Sequence, residues 1–234
     1  DRSRLPNDLS LALGSADVTP LELVTGYATL ANGGYKIEPY WLDRVEDRNG
    51  VVLFQAEPNT VCEGCLYQAR LESIALSAVD EQTAYLINNI LQDVIKRGTG
   101  RKASVLGRND LAGKTGTTND LKDAWFSGFN RELVASVWVG FDQPKTLGRS
   151  EFGSRAALPI WIDFMSVALE GVPEAALIPP QGIVSVRIDP QTGLQAYPGQ
   201  KDAIFEMFRE QDVPQSAAVK HSSATKTITS EELF

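Results

Sequence analysis

Leu111-Ala112-Gly113-Lys114-Thr115-Gly116-Thr117-Thr118-Asn119-Asp120 is the stretch on which the reading of this chain turns. Its Gly-Lys-Thr string occurs in two unrelated settings. A phosphate-cradling loop needs Gly-x-x-x-x-Gly-Lys-[Ser/Thr] leading into a helix N-terminus. Here the first glycine position is Arg108, Gly107 falls one residue too early, and the chain runs on towards a second strand-like segment. That excludes a nucleotide loop. The other setting is an extended strand, in which alternate side chains share a face. Thr115 and Thr117 then point together, whereas Lys114 has the opposite parity and needs strand twist and its long stem to join them. Gly116 lets another backbone lie close to the strand, and an N–H near Thr117 can meet a developing negative charge.

Working outward, Thr19-Pro20-Leu21-Glu22 forms a capping box with proline at the first helical position. The stripe Leu23, Val24, Tyr27, Ala28, Leu30, Ala31 continues that helix until Gly33-Gly34. Segments 41–45 and 51–54 flank Arg48-Asn49-Gly50, which predicts a hairpin with a type I′ turn. Asp80 caps a second helix, with Ala84, Ile87, Ile90, Leu91, Val94 and Ile95 on one face and Gly98 as its stop. Strands at about 111–118, 123–129 and 133–142, joined by short turns, predict an antiparallel meander. The apolar pattern of 154–169 predicts a helix over one face of that sheet, with Pro159 in its first turn or at its start. A strand at 183–188, a turn at 189–193 and a short amphipathic helix at 202–211 follow. The Ser-, Thr- and Lys-rich tail from Val213 reads as disordered. The fold class is α+β, an antiparallel sheet flanked by helices.

The 234 residues are 43% hydrophobic, enough for a real core, and carry a net charge of −8. Nucleic acid is excluded as a partner, because its binding rests on neutralising phosphates with Lys and Arg. No apolar run reaches the ~18 residues that cross a bilayer. Cys62 and Cys65 form Cys-Glu-Gly-Cys, but a structural zinc needs about four ligands. The single histidine, His221, lies in the polar tail. The pair reads as a loop disulfide or two idle thiols, and no metal or cofactor is expected.

The strings around Lys114 carry a resemblance. They are Gly98-Thr99-Gly100-Arg101-Lys102-Ala103, Leu111 to Asp120, Asp123-Ala124-Trp125-Phe126-Ser127-Gly128-Phe129 and Val137-Trp138-Val139-Gly140-Phe141-Asp142. Ala157-Leu158-Pro159-Ile160-Trp161 and Val18-Thr19-Pro20-Leu21-Glu22 extend them. Together these resemble the C-terminal part of the transpeptidase domain of class A penicillin-binding proteins, whose signature combines Ser-x-x-Lys, Ser-x-Asn and Lys-Thr-Gly. The resemblance runs from about Asp8 to Asp189. It implies the serine β-lactamase/penicillin-binding transpeptidase fold, with residues 1–178 in that domain, 179–212 as an extension and 213–234 as the tail.

The resemblance also implies roles for individual residues. Lys114 supplies positive charge and part of the proton-transfer network, and Thr117 supplies half of an oxyanion hole through its N–H. Thr115, Gly116, Thr117 and Thr118 bind substrate, with the hydroxyls of Thr115 and Thr117 on its carboxylate. The implied partners are peptidoglycan stem peptides ending in D-Ala-D-Ala and β-lactam antibiotics. The implied location is the periplasmic face of the bacterial inner membrane, through an N-terminal anchor not seen in this sequence.

Neither Ser-x-x-Lys nor Ser-x-Asn precedes Lys114. Ser223-Ala224-Thr225-Lys226 comes after it, in the polar tail, and reads as chance. The nucleophile is therefore expected from an upstream part of the same polypeptide, and these residues alone are expected not to acylate. Two other readings share the strand motif. They are a serine β-lactamase-type hydrolase and a non-catalytic scaffold domain of the same fold.

Overall fold

The computed structural model describes residues 5–61 and 74–216. They fall into two compact units, divided between Pro180 and Gln181. In the first, helix α1 (Pro20–Ala31) begins with the capping box expected of Thr19 and Glu22. The Glu22 N–H donates to Thr19 Oγ1 at 3.2 Å, and the Thr19 N–H donates to Glu22 Oε2 at 2.8 Å. Helix α2 (Glu81–Lys96) starts on Asp80, whose carboxylate accepts from the Thr83 N–H at 2.9 Å. Helix α3 spans Gly153–Ala168.

Between α1 and α2, strands β1 (Arg44–Glu46) and β2 (Val52–Gln55) form the expected hairpin. Its turn is not type I′. That turn needs positive φ at both central residues, and here Gly50 alone of 48–50 has one, at 81°. The Asp47 N–H donates to the Val51 carbonyl at 2.9 Å and Asp47 Oδ1 accepts from the Asn49 and Val51 N–H groups. The result is a three-residue loop, fixed by the aspartate at its mouth rather than by Asn-Gly alone.

The central sheet is the expected meander of β3 (Ala112–Thr117), β4 (Ala124–Phe129) and β5 (Val134–Val139), in that spatial order. Alternation sorts its side chains into two layers. On one face Ala112 and Phe129 pack with Leu91 of α2, and Tyr27 and Leu30 of α1 join them. On the other, Phe126 and Leu111 pack with Ala157, Leu158, Trp161 and Met165 of α3. Trp161 is fully buried and meets the Phe126 ring edge-on, with centroids 5.0 Å apart.

Two helix expectations need correction. Ile90 lies outside the buried stripe of α2, 62% exposed, while Asn88 is buried and donates to the Leu30 carbonyl at 2.8 Å. Pro159 sits inside α3, well past the first turn. Its missing N–H deprives the Arg155 carbonyl, and Arg155 is on an exposed position where water can serve that oxygen.

In the second unit, β6 (Ile183–Ile188) is the expected strand, but Ile204–Arg209 is strand β7 and not a helix. A ten-residue segment such as 202–211 is too short to sustain a helix unaided, whereas β6 offers a complete antiparallel partner for the Ile and Phe residues of β7. Ser216 bridges to Gln195 in a parallel pairing. Cys62, Cys65, His221, Ser223 and the rest of the tail lie outside the described residues. Among the described residues, no helix is long and apolar enough to cross a membrane and no cluster of side chains suits a metal ion.

Candidate active site on the edge of strand β3

Strand β3 has β4 on one side and, among the described residues, no strand on the other. Which of its backbone groups face that open edge follows from one bond. The Thr118 N–H donates to the Asp123 carbonyl at 3.1 Å, continuing the β3–β4 register. In an antiparallel ladder, bonded and non-bonded pairs alternate. Gly116 and Lys114 are therefore bonded to β4, and the N–H and C=O groups of Gly113, Thr115 and Thr117 point to the open side.

The side chains follow the pleat. Lys114 pairs opposite Ser127 on the α1/α2 face, and Thr115 pairs opposite the buried Phe126 on the α3 face. The opposite parity of Lys114 and the two threonines is thus real. The lysine stem overcomes it, because Nζ curls back to donate to the Thr115 carbonyl at 2.9 Å. Since that carbonyl faces outward, the ammonium reaches the edge to which the Thr117 N–H is also directed. The edge combines a cation, an outward amide and two hydroxyls, the groups that grip a carboxylate and stabilise an oxyanion.

Each hydroxyl is also held from behind. Thr115 Oγ1 lies 2.8 Å from Thr99 Oγ1, on the loop that ends α2. Thr117 Oγ1 accepts from the Gly153 N–H at 3.0 Å, at the start of α3. The remaining candidates have other surroundings. Thr118 Oγ1 accepts from the Asp123 N–H at 2.8 Å and donates to Asp123 Oδ2 at 3.2 Å, closing the turn after β3. A Cβ on Gly116 would come within 3.0 Å of Trp125 Cβ, so its lack of a side chain accommodates the neighbouring strand. Trp125 lies beside Trp138 with the rings tilted by 31° and centroids 6.0 Å apart, and the Trp138 indole donates to Asp123 Oδ1 at 2.9 Å.

Sequence reasoning did not single out a buried network that sets the start of β3. The Arg108 guanidinium grips Asp110 in a two-pronged pair at 2.9 and 2.7 Å and donates to the Val172 carbonyl at 2.6 Å. The Ala175 N–H and the Asn130 amide also donate to Asp110. Burial alone would raise the Asp110 carboxyl, but these donors and the arginine charge outweigh it and hold its pKa below the ordinary 3.8. The visible signal was an Arg-x-Asp spacing directly before the strand. Thr99 had one too, as a lone hydroxyl between two glycines.

Residues 3–166 match the family model of the penicillin binding protein transpeptidase domain. Penicillin-binding protein 1A of Pseudomonas aeruginosa is 47% identical over 92% of this chain, and that of Neisseria lactamica is 44% identical over 78%. The matched region spans 30% and 22% of those two proteins, so this chain corresponds to a minor part of their length. The crystal structure of penicillin-binding protein 1A from Haemophilus influenzae superimposes with a TM-score of 0.84 at 34% identity, covering 94% of this chain and 36% of that one. PonA1 of Mycobacterium tuberculosis, in complex with penicillin V, superimposes with a TM-score of 0.60 at 26% identity, over 74% of this chain and 44% of that one. With the strand order, the threonine-lined edge and these matches in agreement, the chain belongs to the penicillin-binding protein transpeptidase family, on its class A, 1A-like branch.

Proposed function

We propose that this chain supplies the carboxylate-gripping and oxyanion-stabilising wall of a peptidoglycan D,D-transpeptidase. The observation that carries the reading is the open β3 edge, where the Lys114 ammonium, the outward amide of Thr117 and the hydroxyls of Thr115 and Thr117 sit on one rim. A stem peptide lying along that edge presents its terminal carboxylate to the two hydroxyls and the ammonium. The carbonyl of its penultimate D-alanine points its oxygen at the Thr117 N–H. A serine hydroxyl from further sequence of the same polypeptide adds to that carbonyl carbon and gives up its proton. The C–N bond then breaks, and the terminal D-alanine leaves as a protonated amine. An amine on a neighbouring strand takes the acyl group and releases the serine. A β-lactam follows the first half of this course and stays attached, because its leaving nitrogen remains tethered.

The same reading takes residues 1–178 as part of the transpeptidase domain, 179–212 as an extension and 213–234 as a tail. It places the domain on the periplasmic face of the bacterial inner membrane, in a polypeptide that carries an anchor and a peptidoglycan glycosyltransferase domain. The greater length of the relatives supports this arrangement. The test is labelling of the full-length polypeptide with a fluorescent penicillin. Lys114→Ala is expected to slow labelling on the order of a hundredfold, the scale of losing one group that stabilises developing charge. Labelling at an unchanged rate would remove Lys114 from the site.

A further inference from the structure

A hydroxyl has one proton to give and two lone pairs to receive with, so its partners behind the site decide what it offers in front. Thr117 Oγ1 is bonded to the Gly153 N–H at 3.0 Å. An N–H cannot accept, so the threonine oxygen receives there and its own proton is left for the open side. The bond comes from the first residue of a sixteen-residue helix whose N-cap, Phe152, has no side-chain cap of its own. Thr117 caps that helix from another element, and the positive end of the helix draws electron density from its oxygen.

Thr115 has a matching arrangement. Its Oγ1 and that of Thr99 are 2.8 Å apart, and only one of them can donate across that gap. Once the Thr115 proton turns to an anion at the edge, the Thr99 proton is the one left to fill the contact, and the two bonds polarise one another. Thr99 is held firmly enough for this. The N–H groups on either side of it, from Gly98 and Gly100, both donate to the Val94 carbonyl at 3.1 and 3.0 Å.

We propose that Thr99, as the donor to Thr115 Oγ1 when an anion is bound, and the main-chain N–H of Gly153 are positioning groups that leave the Thr115 and Thr117 protons to donate outward, so that the β3 edge selects an anionic carboxylate over a neutral ester. The proposal rests on the reading of that edge as a carboxylate grip. A carboxylate accepts two charge-assisted bonds, and its charge grows in value along a chain of donors. A methyl ester carries no charge, accepts weaker, neutral bonds and adds one methyl group.

The experiment measures acylation rates of the full-length polypeptide with a penicillin bearing its free carboxylate and with its methyl ester. Thr99→Val is expected to lower the rate with the free acid about tenfold while leaving the ester rate unchanged. Thr99→Ser restores the acid rate, and Thr99→Ala repeats the acid-selective loss without the branched side chain. The melting temperature of each variant is expected to match wild type. Acylation of Thr99→Val by the free acid at the wild-type rate overturns the proposal, and so does an equal loss with both compounds or failure of Thr99→Ser to restore. A wild-type protein that takes up neither compound overturns the carboxylate reading itself, and the proposal with it.

Discussion

Replacing Gly153 by alanine tests how tightly α3 is seated on the candidate site. A Cβ built there falls 2.3 Å from the Trp125 carbonyl oxygen and 2.5 Å from that of Gly116. Both are backbone atoms of paired strands and cannot swing aside as a side chain would. The start of α3 must therefore lift away from β3 and β4, which stretches the bond from the Gly153 N–H to Thr117 Oγ1. Overpacking of this kind costs about 1–3 kcal/mol, and a lost hydrogen bond adds about 1 kcal/mol. Alanine's better helix propensity offsets at most about 1 kcal/mol. The net expectation is a destabilisation of about 1–3 kcal/mol. For a domain of this size that lowers the melting temperature by about 3–10 °C. The assay is thermal unfolding of the transpeptidase transition followed by tryptophan fluorescence, with penicillin labelling measured well below it. Labelling should fall as well, because the displaced helix no longer holds Thr117. A Gly153→Ala protein that melts and labels like wild type would refute the close approach and the role drawn from it.

Four further outcomes are expected. Trp161→Ala empties a fully buried site and breaks indole bonds to the Gly128 and Ala135 carbonyls at 3.3 and 3.2 Å; it should cost about 3–5 kcal/mol in urea unfolding, with Trp161→Phe costing less. Asp110→Ala should cost about 3–5 kcal/mol by stranding Arg108. Because the folded Asp110 carboxyl sits below its ordinary 3.8, its contribution is complete above that value and lost as pH falls through the lower folded value; acid titration of wild type should show this loss and that of Asp110→Asn should not. Thr19→Ala removes the capping box of α1 and should cost about 1 kcal/mol, read as a shifted urea midpoint. Amide hydrogen exchange along β3 should alternate, fast at Thr115 and Thr117 and slow at Lys114 and Gly116, and a bound β-lactam should slow the fast pair.

The residues from Leu111 to Val139 were legible in sequence because each strand ends in a short polar turn and the third motif cannot form a phosphate loop. Helices α1 and α2 were legible for a local reason, since Thr19, Glu22 and Asp80 bond within their own first turns. What escaped depended on distant partners. The 204–209 strand exists because β6 lies alongside it, and its apolar residues alone suit either period. By rule Pro159 reads as lying in the first turn of a helix or at its start, but the buried Leu158 and Trp161 hold the helix on both sides of it. At the candidate site, Lys114 and Thr115 were visible as a motif, whereas the route by which their groups meet was not. That route depends on a bend of the lysine stem and on which ladder positions are bonded. The contacts from Thr99 and Gly153 cross 16 and 36 residues of chain, beyond any periodic signal.

One cluster of positions also constrains how this sequence can change over time. Gly128 has no Cβ because two buried rings occupy its place: an added carbon would lie 2.6 Å from the Trp161 indole and 2.8 Å from the Phe126 ring. A mutation at 128 that arrives first collides with both. Smaller side chains at 161 and 126 arriving first leave only a void, which costs stability without a clash. Lineages can make these exchanges in one order and not the other, so descendants with a side chain at 128 should carry smaller residues at both 161 and 126.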